Sequence, residues 1–248
     1  MLQDCAGQSH FQFGMRGVMK QVLSGAMMLA VIMGSLSAPA LAKPTAEQQH
    51  KMDQELKAMG FPPGLGRWVD DPVEIHQVTL APLFEKPYAC SEHPLGQLHG
   101  AGDALGTDCM VVGGFESDHG FAKMYRGDGT KNTDWYGWHT PVHAPIDGVV
   151  KYIHLNTETN TPGNMGKPPA SFMVFERADG VTVVFAHLTE PVVKVGDHVT
   201  AGQVVAIDGN NGVARNPHIH VGAYRGGEPL QIRWDLRALG KIPGMTDN

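Results

Sequence analysis

The chain has 248 residues, 42% of them hydrophobic and 18% charged, with a net charge of −6. That is enough for one full core, or one domain with appendages, and without a Lys/Arg cluster after the N-terminal segment no nucleic-acid partner is expected. Many Gly and Pro residues with few aromatics suit short strands joined by tight turns.

The first element reads as an export signal, residues 1–42. Met15-Arg16 and Met19-Lys20 give a basic start, Val22 to Ser37 is almost uniformly apolar or small, and Ala40-Leu41-Ala42 is a small-x-small cleavage site. The residues before Met15 do not look like a signal, which fits translation beginning at Met15. The apolar run is shorter than the ~20 residues of a comfortable membrane span. No cysteine follows the cleavage site to carry a lipid. No stable membrane span is therefore expected after cleavage, and the product, Lys43 to Asn248, is expected in the periplasm or outside the cell. Cys5 lies upstream of the signal, so the product keeps Cys90 and Cys109. An even pair in an oxidising compartment points to a disulfide.

Residues 43–70 are expected to form a helix and a linker. Thr45 and Gln48 make a capping box at the start of a helix running to Met59, with Met52, Leu56 and Met59 on one face and Gly60 as the stop. Phe61 to Gly66 then breaks regular structure. The main domain is placed at 71–241, followed by a tail at 242–248. Val73–Leu80 suits a strand. The loop between the cysteines is rich in Gly and His, and its His93 and His99 read most simply as exposed loop residues. Gly113 to Asp134 also looks like loop. Short apolar runs then follow at Gly148–Ile153, Ser171–Arg177, Thr182–Leu188, Val192–Val195, Gln203–Ile207 and His218–Tyr224, with turn residues between them. No helical period interrupts them before Trp234–Leu239. The expected fold class is all-β, an antiparallel β-sandwich or barrel-like domain with a short N-terminal helix.

Asn216-Pro217-His218-Ile219-His220 carries the most suggestive chemistry. On an extended strand His218 and His220 share a face while Ile219 turns into the core. Two imidazoles so placed suit a metal ligand and a proton carrier; taken alone, the pair reads equally well as surface histidines. His187, at the end of the Phe185-Ala186-His187-Leu188 strand, is expected on the face of Val183 and Phe185.

Four segments come in a telling order. They are Thr140-Pro141-Val142-His143-Ala144-Pro145 running into Gly148-Val149-Val150, Phe185-Ala186-His187-Leu188, Val195 to Gln203, and Pro217-His218-Ile219-His220. Together, over about Asp134 to Tyr224, they resemble the M23 family of zinc metallopeptidases, the lysostaphin-like peptidoglycan endopeptidases. The resemblance implies a β-rich groove of the duplicated hybrid motif type, holding Zn2+, in which a metal-activated water cuts peptide cross-links of bacterial cell wall. It implies that His220 is a metal ligand and that His187 and His218 are the catalytic pair. Asp134 matches the aspartate ligand of the family's first metal motif, His-x-Gly-x-Asp, but Thr130 stands where that histidine belongs and Asn132 where the glycine belongs. A catalytic zinc needs three protein ligands and an open position, so the third ligand is open among His119, Asp128, His139 and His143.

Two functions compete. The first is an exported zinc metalloendopeptidase acting on peptidoglycan stem peptides or cross-bridges. The second is a non-catalytic domain of the same type that binds cell wall or activates another wall hydrolase. A biotinyl/lipoyl hairpin over Val195–Ile207 would need a lysine exposed at its turn, and none occurs between Val195 and Gly212.

Overall fold

The computed structural model describes residues 42–58, 61, 64–115 and 120–245. The export signal up to Leu41, the helix stop at Met59-Gly60 and the His119 candidate lie outside them. Helix α1 (Ala46–Ala58) starts at the expected capping box. Gln48 N–H donates to Thr45 Oγ1 (3.2 Å) and Thr45 N–H to Gln48 Oε1 (2.8 Å). Leu56 is its buried residue, and the Gln49 amide oxygen accepts from Trp68 N–H at 3.0 Å, tying the helix to the segment after it.

Among the described residues twelve strands follow: β1 (Gln77–Leu80), β2 (Tyr88–Glu92), β3 (Thr107–Val111), β4 (Pro141–His143), β5 (Gly148–His154), β6 (Phe172–Glu176), β7 (Val181–Ala186), β8 (His198–Val199), β9 (Val204–Ile207), β10 (Ile219–Arg225), β11 (Glu228–Pro229) and β12 (Gln231–Trp234). One antiparallel sheet runs β2-β3-β10-β7-β6-β5-β8, with β11 beside β10. Two ribbons complete the fold, β4–β9 antiparallel and β1–β12 parallel. The fold is all-β and mostly antiparallel, as expected, although its layers are one large sheet and two small ribbons. Val192–Val195 does not pair as a strand; it runs beside β9, with Val192 N–H donating to Val205 O at 2.9 Å. Helix α2 (Leu236–Leu239) is capped by the Asp235 carboxylate.

Period-two alternation sorts the large sheet into two faces. Met173 and Phe175 of β6, Val183 and Phe185 of β7, and Ile219, Val221 and Ala223 of β10 enter the main core with both ribbons. Phe172, Val174, Val184 and Tyr224 face the other way, under Leu65 and Ala101. Fully burying a side chain of this size contributes about 1.5–3 kcal/mol, so a one-residue slip that swaps the faces is strongly disfavoured.

The two cysteines stand on an antiparallel pair of strands, β2 and β3, joined by the connection 93–106. Cys90 and Cys109 are register partners across β2 and β3 and form the expected disulfide. Apolar alternation is too short there to mark strands: β2 reads Tyr-Ala-Cys-Ser-Glu, and the disulfide with core residues Tyr88, Cys109 and Val111 supplies the missing stabilisation.

One core group gives a pH prediction. Asp208, at the end of β9, is fully buried, and beyond the adjoining Gly209 N–H its carboxylate oxygens have no hydrogen-bond partner among the described residues. Burial raises its carboxyl well above the ordinary value, and the Gly209 N–H offsets only part of this. The folded state therefore holds the proton more tightly than the unfolded chain. Its stabilising effect is fully present below the unfolded carboxyl pKa of about 4 and falls as pH rises through the folded value. In Asp208→Asn this fall is expected to vanish, so its melting temperature should overtake that of the wild type between pH 4 and 8, by about 2–4 °C per kcal/mol relieved. Parallel pH–melting curves for the two proteins would refute the assignment.

Candidate active site

The site lies on the sheet face away from the main core, where β10 runs between β3 and β7. His220 is register partner to Asp108 on β3 and to Ala186 on β7. Register partners point to one face and stand within reach of each other. His220 Nδ1 is accordingly 3.0 Å from Asp108 Oδ1. His93 follows β2 directly, with its N–H donating to Gly106 O (2.8 Å) and its Nε2 3.3 Å from Asp108 Oδ2. One donor atom from each of His93, Asp108 and His220 lies within 4.8 Å of the others, a possible metal site.

Glycines let the turn at residues 100–106 press onto β10. A Cβ on Gly222 would fall on Gly102 O, and one on Gly106 would stand 3.0 Å from His220 Cε1. The close approach brings Asp103, a buried carboxylate, to 3.2 Å from His220 Nε2.

His187 reaches the site by breaking the strand pattern. Continued alternation would put it with Phe185 in the main core. Instead its φ is +67, a left-handed conformation that ends β7 and swings the ring to 4.6 Å from that of His218, centroid to centroid. For a residue with a Cβ this conformation costs about 1–3 kcal/mol. Asn211 maintains it. The Asn211 Nδ2 donates to His187 O (3.1 Å) and Leu188 O (2.9 Å), and its Oδ1 accepts from Ser171 N–H (2.7 Å). His187 Nδ1 is 2.9 Å from Asn211 O, and His218 Nδ1 is 2.9 Å from Asn216 O. A carbonyl only accepts, so both Nδ1 atoms carry the proton and both Nε2 atoms are left as acceptors, that of His218 3.7 Å from Asp108 Oδ1. His187, His218, His93, Asp103, Asp108 and His220 all line one cleft.

The electrostatics separate the histidines into two kinds. Burial lowers His187 to about 3, with the neighbouring His218 and His220 adding to the shift. Burial also lowers His218, and Asp108 opposes this. For His220 burial alone would lower the pKa, but hydrogen bonds to Asp103 and Asp108 prevail and raise it. For Asp108 burial alone would raise the carboxyl, yet the His220 and His93 hydrogen bonds hold it well below the usual range. Burial raises the Asp103 carboxyl, and the hydrogen bond from His220 opposes this.

Of the residues singled out from the sequence, His187, His218 and His220 come together. Asp134 does not join them. It lies in a 3-10 turn (Asn132–Asp134), where Oδ2 accepts from Lys131 N–H at 3.1 Å, and it does not line the cleft. Thr130 and Asp128 bond each other on the surface. His139 is exposed and stacks on Trp138, and buried His143 meets Leu83 O at 3.0 Å. None of Asp128, His139 or His143 lines the cleft.

Sequence reasoning missed His93, Asp103 and Asp108. One available signal was position: with Cys90 paired to Cys109, residue 108 must face opposite to the core-facing Cys109. Spacing alone would have misled, because His99 and Asp103 show the family's His-x-x-x-Asp interval, yet His99 stacks on Trp68, 4.1 Å between ring centroids.

Residues 133–232 match the family model "Peptidase family M23". The chain is 29% identical over 110 residues to an uncharacterized metalloprotease of Haemophilus influenzae, covering 43% of this chain and 20% of that protein. The chain thus spans about a fifth of the length of this curated relative. Among solved structures, a mutant catalytic domain of the prophage-encoded M23 protein EnpA from Enterococcus faecalis is 20% identical, with 60% of this chain and 92% of that one covered and a TM-score of 0.38. The catalytic domain of the antimicrobial peptidase lysostaphin from Staphylococcus simulans is 21% identical, with 56% and 80% covered and a TM-score of 0.33. His187, His218 and His220 fall inside the family match, whereas His93, Asp103 and Asp108 precede it.

Proposed function

We propose, from the match of residues 133–232 to peptidase family M23, that this chain is an exported zinc metalloendopeptidase that hydrolyses peptide bonds of bacterial peptidoglycan. The observation that carries the reading is the convergence of His93, Asp108 and His220 beside His187 and His218 in one cleft. The donor set fits zinc. Tetrahedral ligands about 2.0–2.2 Å from the ion stand about 3.3 Å apart; His220 Nδ1 lies 3.0 Å from Asp108 Oδ1 and His93 Nε2 3.3 Å from Asp108 Oδ2, and one donor atom from each of the three residues lies within 4.8 Å of the others. His93 Nε2, Asp108 and His220 Nδ1 would hold the ion, in place of the Asp134 set suggested by the motif.

Bound there, zinc would polarise the scissile carbonyl and lower the pKa of a bound water toward about 7. His187 and His218 do the proton work. Each presents Nε2 as an acceptor on a ring anchored at Nδ1, so one can accept the proton of the attacking water and then pass that proton to the leaving amine, while the other positions the water. Arg215, on the cleft wall, offers a cation to a carboxylate of the peptide substrate. Export is supported by the signal-like segment at 1–42 and by a disulfide of the kind that persists in oxidising compartments. The competing reading is a non-catalytic domain that binds cell wall or activates another hydrolase. It drew on the missing third ligand, and His93 and Asp108 beside His220 weigh against it.

The zinc-loaded protein is expected to release peptides from purified peptidoglycan. His187→Ala and His218→Ala should each keep about one equivalent of zinc and lose at least ~100-fold in rate, in the range for a general acid–base group. A wild type that binds zinc yet releases nothing from peptidoglycans of differing cross-link would sink the enzyme reading.

A further inference from the structure

We infer that Asp103 is the positioning residue for both histidine ligands of the metal, selecting the nitrogen that each presents. The inference rests on the assignment of His93, Asp108 and His220 as the metal site. Asp103 touches the two rings through different groups. Its carboxylate Oδ1 lies 3.2 Å from His220 Nε2, and its backbone carbonyl lies 3.4 Å from His93 Nδ1. Both groups accept, so in its metal-binding form each ring keeps its proton on the nitrogen turned toward Asp103. The opposite nitrogens, Nδ1 of His220 and Nε2 of His93, are the two that face Asp108.

Gly102 O adds a second acceptor at 3.2 Å from His220 Nε2, so the proton on that nitrogen is held from two sides. A carboxylate behind a ligating imidazole orients the ring and raises its basicity, and losing such a partner typically costs 10–100-fold in metal affinity.

Asp103 is not itself a ligand in this arrangement. A metal between Asp103 and His220 Nε2 would have beside them only the Gly102 carbonyl, whereas Nδ1 of the same ring faces Asp108, which also meets His93 Nε2. The placement is built into the backbone. Gly102 has φ +97, and only a residue without Cβ at 222 allows the Gly102 carbonyl to lie on β10. The turn at 100–106 therefore delivers the carboxylate from behind the metal ligand, on a chain segment that the M23 family match does not include.

The test is the zinc dissociation constant of the purified protein, measured by competition with a chelator, for wild type, Asp103→Ala and Asp103→Asn, with folding checked by circular dichroism. Asp103→Ala is expected to bind zinc about 10–100-fold more weakly. Asp103→Asn keeps the size and one acceptor oxygen, and is expected to recover part of the loss. Where the alanine variant does not fold, the asparagine variant decides alone, with a measurable weakening expected from the lost charge. Zinc affinity unchanged in every folded variant overturns the inference. Asp108→Ala, run alongside, separates the two claims: if it keeps wild-type zinc affinity, the metal assignment itself fails.

Discussion

Asp108→Ala is expected to leave the protein with less than a tenth of an equivalent of zinc and no detectable hydrolysis, while Asp134→Ala keeps both. The two aspartates make a sharp comparison because each has a claim. Asp134 stands in the motif position, and Asp108 stands next to His220. Deleting Asp108 removes the group that joins the other two donors, since His93 and His220 each contact it. The effect on metal affinity should therefore exceed the ~100-fold upper range of an outer partner. Asp134 holds a local turn through Lys131 N–H, so its loss should cost no more than a surface cap, about 0.5–2 kcal/mol. Elemental analysis and a peptidoglycan-release assay on both variants read this directly. Zinc lost from Asp134→Ala and kept in Asp108→Ala would return the site to the motif assignment.

The second large effect is expected on opening the disulfide. Cys90 and Cys109 join neighbouring strands of the hairpin that carries His93 and Asp108, and Cys109 is wholly buried. A closed loop of this size contributes roughly 3 kcal/mol in the chain-entropy model, which corresponds to roughly 6–12 °C in melting temperature. Cys90→Ser with Cys109→Ser should melt lower by that amount. It should also bind zinc more weakly, because β2 is an edge strand and the histidine at its end loses its tether to β3. Thermal melts of wild type with and without reductant provide the same comparison without mutation. A double variant that melts with wild type and binds zinc equally well would show the bridge to be dispensable to both fold and site.

Most of the strands after Pro145 could be read from the chain because their signal is local. Val, Phe and Ile at alternate positions, bounded by Gly and Asp turns, specify a strand whatever lies beside it. The capping box of α1 and the inward turn of Ile219 belong to the same class. The cysteine hairpin could not be read this way, since β2 and β3 are short and take their stability from the disulfide and from pairing with β10. His187 was legible as a candidate residue and misplaced on its face. Its left-handed φ is held by the side chain of Asn211, 24 residues further along, and no pattern within its own strand records that.

The sequence by itself determined the all-β class, the export signal as an expectation, the cysteine pair, and the three histidines of the cleft. Each is carried by residue type and short spacing. Only the tertiary structure decided which acid stands beside His220. Asp108 and His220 are 112 residues apart, and they meet because β3 pairs with β10 in a register set by burying Cys109 and Ile219 on the opposite face. Register across such a separation depends on what the whole sheet buries, so it is a property of the folded core rather than of any one segment.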